Sequence, residues 1–345
     1  MQYFDDSYLS NLNIATNNYC NDECNQVSSR YPVRVSKYYA DLIRHKGDAI
    51  WKQCMPDLRE LEDLGQLPDP LHEGSLSPVP GLIHRYSDRA VLLVSNRCPV
   101  YCRFCMRKRL VGNGDAPMSE TEIQNALAYL AVTPAIRDVI LSGGDPLMLN
   151  DQALDRILSG LRAISHISVI RIGTRVPVTL PARITTELCK LLKKFHPLYI
   201  NTHFNHPAEI TDQSSRACAM LADAGIQLGN QTVLLKGVND DIEVMRELMS
   251  GLLAIRVRPY YLHQMDLVRG TAHFRTSVNS GLEIIRGLRG HISGLALPHY
   301  VIDLPGGKGK VALLPDTPER EGDLLLLKTY TGELVPYRDL TAAQE

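Results

Sequence analysis

Hydrophobic and polar positions divide the chain into two kinds of sequence. From Arg89 onward, short apolar runs alternate with amphipathic segments. Strands are predicted at Ala90–Ser95, Asp138–Leu141, Val169–Gly173, Leu198–Thr202, Gln227–Leu234 and Arg256–Leu262. Helices are predicted between them at Ser119–Leu130, Asp151–Ile164, Thr185–Phe195, Thr211–Ala224 and Asp240–Ala254. Ser119 with Glu122 three residues on makes a capping box, and Thr185 with Glu187 a less complete one. Val/Ile/Leu runs alternating with helices of this length predict βαβ units and a parallel sheet covered by helices. Six such strands predict a partial (β/α)6 TIM-like barrel. The first 80 residues read differently. Tyr38–His45 and Asp48–Glu62 carry helix-spaced apolar positions, whereas Gly65–Pro80, rich in Pro, Gly and Asp, reads as a linker or extended arm. Leu324–Tyr330 predicts a late strand. The expected organisation is a helical N-terminal region over 1–80, a barrel over 81–300 and a short C-terminal segment over 301–345.

Composition changes this picture little. A chain of 345 residues with 44% hydrophobic and 22% charged residues fits a globular protein with a sizeable core. Lys plus Arg (37) nearly balances Asp plus Glu (38), so no global field draws nucleic acid or an anionic membrane. No apolar run approaches the roughly 18–20 residues that span a bilayer. The start, Met-Gln-Tyr-Phe-Asp-Asp, lacks signal-peptide character. The expected compartment is the cytoplasm, where clustered cysteines point to metal rather than disulfides.

The candidate chemistry falls just after the strands. Cys98–Cys105 follows the first, Ser142-Gly143-Gly144-Asp145 the second, Thr174-Arg175 the third and His203-Phe204-Asn205 the fourth. Asn230-Gln231 interrupts the fifth, and His263–Asp266 follows the sixth. Barrel active sites are built from loops at the carboxyl ends of strands, so one pocket should collect these groups. Cys98, Cys102 and Cys105, spaced Cys-x3-Cys-x2-Cys, suit a [4Fe–4S] cluster with one open iron, whereas structural zinc takes four ligands. Cys20 and Cys24 read as ordinary thiols, and Cys54, Cys189 and Cys218 as small core residues. Gly143 and Gly144 permit positive φ and close backbone approach, although Gly-Gly-Asp alone is more often a turn. His203, Asn230 and Gln231 read equally well as structural hydrogen-bonders. The glycine-rich Asp303-Leu-Pro-Gly-Gly-Lys-Gly-Lys310 leaves three readings open. It could be a phosphate cradle without Walker spacing, a plain turn, or a lysine held as a Schiff base with pyridoxal phosphate.

The cysteine loop resembles that of the radical S-adenosylmethionine superfamily. This implies that the methionyl group of S-adenosylmethionine chelates the open iron, with Gly143-Gly144-Asp145 near its amino group. Further motifs resemble the lysine 2,3-aminomutase family from Pro78 to Lys310. They are Pro78–Arg89, Cys98–Arg109, Leu141–Asp145, Asn201–Pro207, Leu228–Gln231, Arg258–Tyr261, His273–Thr276, Leu288–His291 and Asp303–Lys310. The resemblance implies a radical S-adenosylmethionine barrel whose cofactors are a [4Fe–4S] cluster, S-adenosylmethionine and pyridoxal phosphate. Lys310 matches the pyridoxal phosphate lysine, with Lys308, at a position usually glycine, as the competing candidate. Arg107 matches the clamp for the substrate α-carboxylate, and Asp266 and Asp303 the pair that holds its distal ammonium. Arg85, Tyr86 and Arg89 match residues near pyridoxal phosphate, and His203 and Gln231 fall on cofactor-side motifs. The implied activity is 1,2-amino migration between L-lysine and β-lysine. The alternatives are arginine or glutamate as substrate, or supply of β-lysine for elongation factor P. A reductant such as flavodoxin or ferredoxin and a homo-oligomer are further implied. Longer aminomutases carry clustered C-terminal cysteines for zinc; residues 311–345 contain none, so no zinc is expected.

Overall fold

Nine strands form one sheet in sequence order, β1 (Leu82–Tyr86), β2 (Arg89–Ser95), β3 (Asp138–Gly143), β4 (Val169–Gly173), β5 (Leu198–Thr202), β6 (Gln227–Leu234), β7 (Arg258–Gln264), β8 (His299–Leu304) and β9 (Gly309–Ala312). These assignments come from a computed structural model that describes residues 22–62, 65–112, 116–316, 319–321 and 324–338. Neighbours from β2 to β8 run parallel, while β1 and β9 fold back antiparallel on the two ends. All six predicted strands are present in the predicted order, and three more extend them into a nearly closed barrel. The two edges, β1 and β9, meet through side chains. The backbone N–H of Lys310 donates to the Tyr86 hydroxyl at 2.9 Å, and Arg85 pairs with Asp303 at 3.3 Å.

The helices are α1 (Asp22–Ser28), α2 (Lys37–Ala40), α3 (Ala49–Cys54), α4 (Glu120–Ala131), α5 (Asp151–Arg162), α6 (Val176–Thr179), α7 (Thr186–Leu192), α8 (Asp212–Asp223), α9 (Ile242–Ala254) and α10 (Val278–Leu288). Ser119 and Glu122 form the expected capping box at α4, and Thr185 caps α7 through the Leu188 N–H. The expected helix over Asp48–Glu62 is instead broken: Asp48 caps α3, which ends at Cys54, and Pro56 lacks the N–H to continue it. Leu58–Leu61 adds only a 3₁₀ turn. The late strand appears as β11 (Leu324–Lys328), the middle of a three-stranded antiparallel sheet with β10 (Glu319–Glu321) and β12 (Leu334–Arg338).

Burial alternates along the barrel strands, as i-B-i-B-i on β4 and B-i-B-i-B on β5. The fully buried residues, such as Leu92, Val139, Ile170 and Ile200, pack outward beneath the helices. Each such aliphatic side chain contributes about 1.5–3 kcal/mol of burial. The opposite face, including Asp138, Arg171, Tyr199 and Asn201, lines a cavity instead of filling a core. Cys54, Cys189 and Cys218 are buried, as expected, whereas Cys20 and the Cys24 side chain lie outside the described residues. Gly65–Pro80 is no free linker. It straps the barrel mouth, where Leu67 bridges Val268, the Arg269 N–H donates to the Leu67 carbonyl at 3.1 Å, and the Gly306 N–H donates to the Pro70 carbonyl at 2.8 Å. No helix among the described residues is long and apolar enough to cross a membrane.

Candidate active site

A cavity of about 750 Å³ occupies the barrel interior and its carboxyl-terminal mouth. Most residues singled out by sequence line it: Cys98, Cys102, Cys105, Arg107, Gly143, Gly144, Asp145, His203, Gln231, Arg85, Tyr86, Arg89, Asp266, Asp303 and Lys310. Lys308 does not, and its side chain is exposed on the outer turn.

The cysteine loop is held from beneath by buried charge. Glu60 accepts from Arg103 at 2.6–3.2 Å and from Lys108 at 2.6 Å, so one carboxylate ties down two cations of the loop. Burial, more than the mutual repulsion of the sulfurs, pushes the Cys98 thiol well up and the Cys105 thiol to about 11. Cys98 and Cys105, thiols that resist ionising alone, are suited to a cationic iron centre, which reverses that penalty. The Arg175 Nη1 donates to Cys102 Sγ at 2.8 Å, and the rest of its guanidinium is held by Glu209, Gln53, Tyr39 and the His203 carbonyl. No three His, Cys, Asp or Glu side chains among the described residues gather around a single ion.

Gly143 has φ 126°, and a Cβ there would meet the Ser95 carbonyl at 2.2 Å. A Cβ on Gly144 would meet the Arg97 carbonyl at 2.5 Å. Both glycines are therefore required to seat the end of β3 against the start of the cysteine loop. Asp145 is spent on the chain itself: it accepts from Thr174 Oγ1 at 2.6 Å, Arg175 N at 2.7 Å and Leu147 N at 3.0 Å. Asn230 is likewise structural, bonded to the Phe204 backbone. A bulge at Tyr260 on β7 puts both Tyr260 and Tyr261 on the cavity wall, their rings 3.9 Å apart. His203 is buried, its Nε2 3.1 Å from Asn205 Oδ1, and burial drives it well towards the neutral ring.

At the seam of the barrel, Asp303 and Lys310 face each other across the β8–β9 ladder. The Lys310 ammonium lies on the Asp303 carboxylate, with Arg85 at 3.3 Å and His263 Nδ1 at 3.7 Å. Arg89 stacks over the Tyr86 ring at 4.0 Å. A primary amine with two arginines and a tyrosine beside it is a donor set that fits an aldehyde carrying a phosphate. Burial and the charge of Asp303 push the Asp266 carboxyl up to about 7, against the opposing pull of Lys310 and Arg85. The folded protein thus holds this proton more tightly than the unfolded chain, and the resulting stability is lost as pH rises from about 4 to about 7.

Across the cavity, Arg107 is gripped by Glu73, a residue of the strap that sequence reasoning passed over because 34 positions separate the two. Arg175 was visible only as a polar residue after a strand; no local pattern marks its contact with Cys102.

An α/β barrel with three cysteines at its mouth defines the class, and residues 92–249 match the model of the radical SAM superfamily. Residues 285–343 match a second model, described as Lysine-2,3-aminomutase. The chain is 50% identical over 313 residues to the L-lysine 2,3-aminomutase of Fusobacterium nucleatum, covering 88% of this chain and 73% of that protein. It is also 50% identical to the L-lysine 2,3-aminomutase of Clostridium subterminale, over 88% of this chain and 74% of the relative. The glutamate 2,3-aminomutase of Clostridioides difficile is 46% identical, over 91% of this chain and 75% of that one. The chain belongs to the lysine 2,3-aminomutase family.

Proposed function

We propose that the protein interconverts L-lysine and β-lysine, as a radical S-adenosylmethionine, pyridoxal phosphate-dependent 2,3-aminomutase. The observation that carries this is the primary ammonium of Lys310 resting on Asp303 with Asp266 beside it. That spot accepts an alkylammonium, and a lysine side chain ends in one. Lys310 would hold pyridoxal phosphate, which would leave the two carboxylates to receive the substrate's distal ammonium. Identity alone does not choose the substrate, since the glutamate enzyme is nearly as similar. A second substrate carboxylate beside Asp266 and Asp303 would add repulsion in a buried site.

When bound, the cluster with S-adenosylmethionine supplies a carbon-centred radical, and pyridoxal phosphate supplies the carbonyl that tethers the migrating amino group. The protein's own part is grip and exclusion. Cys98, Cys102 and Cys105 would hold the cluster, and Lys310, Arg85, Tyr86 and Arg89, which line the cavity, would hold the pyridoxal phosphate. Arg107 takes the α-carboxylate by a guanidinium fork. With both ends fixed, the substrate's β-carbon is held at one position in the barrel, and Ile140, Val169 and Val233 on the wall keep water away.

The test is anaerobic reconstitution with iron, sulfide, pyridoxal phosphate and S-adenosylmethionine, followed by mass spectrometry of products from lysine, arginine and glutamate. β-Lysine from lysine is expected; none from lysine rejects the reading, and product from arginine or glutamate alone replaces it.

Proton linkage gives an independent check. An ammonium needs Asp266 ionised, so lysine affinity should rise with pH through about 7 and level off above it. At pH 7 binding should release about half a proton from that carboxyl. Titration calorimetry in buffers of unequal ionisation heat measures this. Asp266→Asn should abolish the release, and a heat independent of buffer in the unaltered protein would count against the assignment.

A further inference from the structure

We infer that Glu73 is a positioning residue for the substrate's α-carboxylate: it holds Arg107 by one edge of the guanidinium so that the opposite edge faces the cavity. This rests on the aminomutase reading and on Arg107 as its carboxylate clamp.

The geometry is specific about which donors are used. Arg107 Nε lies 3.1 and 3.2 Å from the two Glu73 oxygens, and Nη2 lies 2.8 Å from Oε1. Nη1 donates to Ser142 Oγ at 3.2 Å. A guanidinium has five N–H groups. Glu73 takes the one on Nε and one on Nη2, and Ser142 takes one on Nη1. One remains on each terminal nitrogen. With Ser142 on the Nη1 hydrogen that points away from Nη2, that pair is the complement of a carboxylate bound in the forked manner.

Glu73 is itself fixed. It is 3% exposed, and its backbone N–H donates to Asp69 Oδ1 at 3.1 Å. Arg109, which also reaches Glu73 at 3.4 Å, is held by Asp69 at 3.1 Å. The strap bearing these acids is tied to the glycine-rich hairpin by the Gly306–Pro70 hydrogen bond at 2.8 Å. One rigid segment therefore connects the clamp for the carboxylate with the hairpin that carries the clamp for the ammonium.

Without Glu73, the Nε edge of Arg107 is left unheld, and the Nη1 contact with Ser142 does not fix the plane of the guanidinium by itself. Glu73 does not compete with the substrate, because the edge it occupies is not the edge left open.

The experiment compares L-lysine with 1,5-diaminopentane, which has both amines and lacks the carboxylate. Holoprotein carrying pyridoxal phosphate is titrated with each, without S-adenosylmethionine, and the visible absorbance of the cofactor reports binding. The unaltered protein should prefer lysine. Glu73→Ala should narrow that preference by roughly tenfold or more, as expected for losing the aim of a charged hydrogen-bond pair. Glu73→Gln, which keeps the shape of the side chain, should narrow it by less, and carries the test if the alanine variant does not fold. Glu73→Asp should recover part of the preference. Equal losses for both ligands would mean a purely structural role and overturn the inference. A wider preference for lysine would mean that Glu73 competes with the substrate, and would also overturn it. No preference in the unaltered protein would remove Arg107 as the clamp, and the inference with it. Absence of β-lysine formation despite a normal preference would fault the proposed reaction alone.

Discussion

Alanine at position 310 is expected to leave the protein unable to retain pyridoxal phosphate through gel filtration and to lower turnover by about three orders of magnitude or more, the scale of a lost covalent tether. The expectation follows from position. Lys310 lines the cavity and reaches Asp303, whereas Lys308 is exposed and outside it, so no neighbouring amine can take over. Borohydride reduction of the loaded protein followed by peptide mass analysis should place the cofactor on Lys310. Lys308→Ala should label normally. Labelling that persists in Lys310→Ala and disappears in Lys308→Ala would reverse the assignment. Arg85 remains on Asp303 in the Lys310 variant, so the carboxylate is not stranded and the fold should stand.

Loss of Cys102 should be equally complete for activity and nearly silent for the fold. Cys102→Ala is expected to reduce bound iron sharply and to bring reductive cleavage of S-adenosylmethionine below detection, because a cubane held by two protein thiolates is readily lost. The loop that carries it is secured elsewhere: Arg103 and Lys108 stay on the buried Glu60, and the Arg103 N–H on the Gln53 carbonyl at 2.9 Å. Circular dichroism and melting of the apoprotein should therefore change little. Iron content at the level of the unaltered protein would refute the ligand assignment, whereas a collapsed melting curve would show Cys102 to be structural.

The barrel was legible where apolar runs and caps are strong, and illegible where strands serve the seam. β3 to β6 start at the predicted residues; the outward faces of β3 to β5 are mainly Val, Ile and Leu, and Leu228 and Leu234 carry that of β6. β7 starts two residues later than expected, since Arg256 turns with φ 64°. β1, with the sequence Leu-Ile-His-Arg-Tyr, puts polar side chains into the cavity and so lacks an apolar run. β9, Gly-Lys-Val-Ala, is read from sequence as the tail of a glycine-rich loop. The interior carries Arg171, Tyr199 and Asn201 at inward positions of the strands, which only the period of two explains. At the site, residue types told the chemistry, but pairings between distant positions were invisible. Glu73 with Arg107, Arg175 with Cys102 and Tyr86 with Lys310 each join elements that only the closed barrel brings together. Asp145 went the other way: it sits at the cavity, yet its oxygens are occupied by Thr174 and by backbone amides.

The hairpin between β8 and β9 bears on how this sequence is free to drift. Asp303 and Lys310 are opposite each other in the ladder, and the turn between them has left-handed Gly306 (φ 73°) and Gly307 (φ 72°) followed by Lys308 at φ −73°. Position 308 has an ordinary backbone, so a lysine costs nothing there, whereas a Cβ on Gly307 would meet the Leu71 carbonyl at 2.8 Å. Chemical identity is lax at position 308 alone. Residue count is not: a single insertion or deletion there would slip the pairing by one and turn the Lys310 side chain to the outer face. Lineages of this chain can rewrite position 308 of that turn, but not its length.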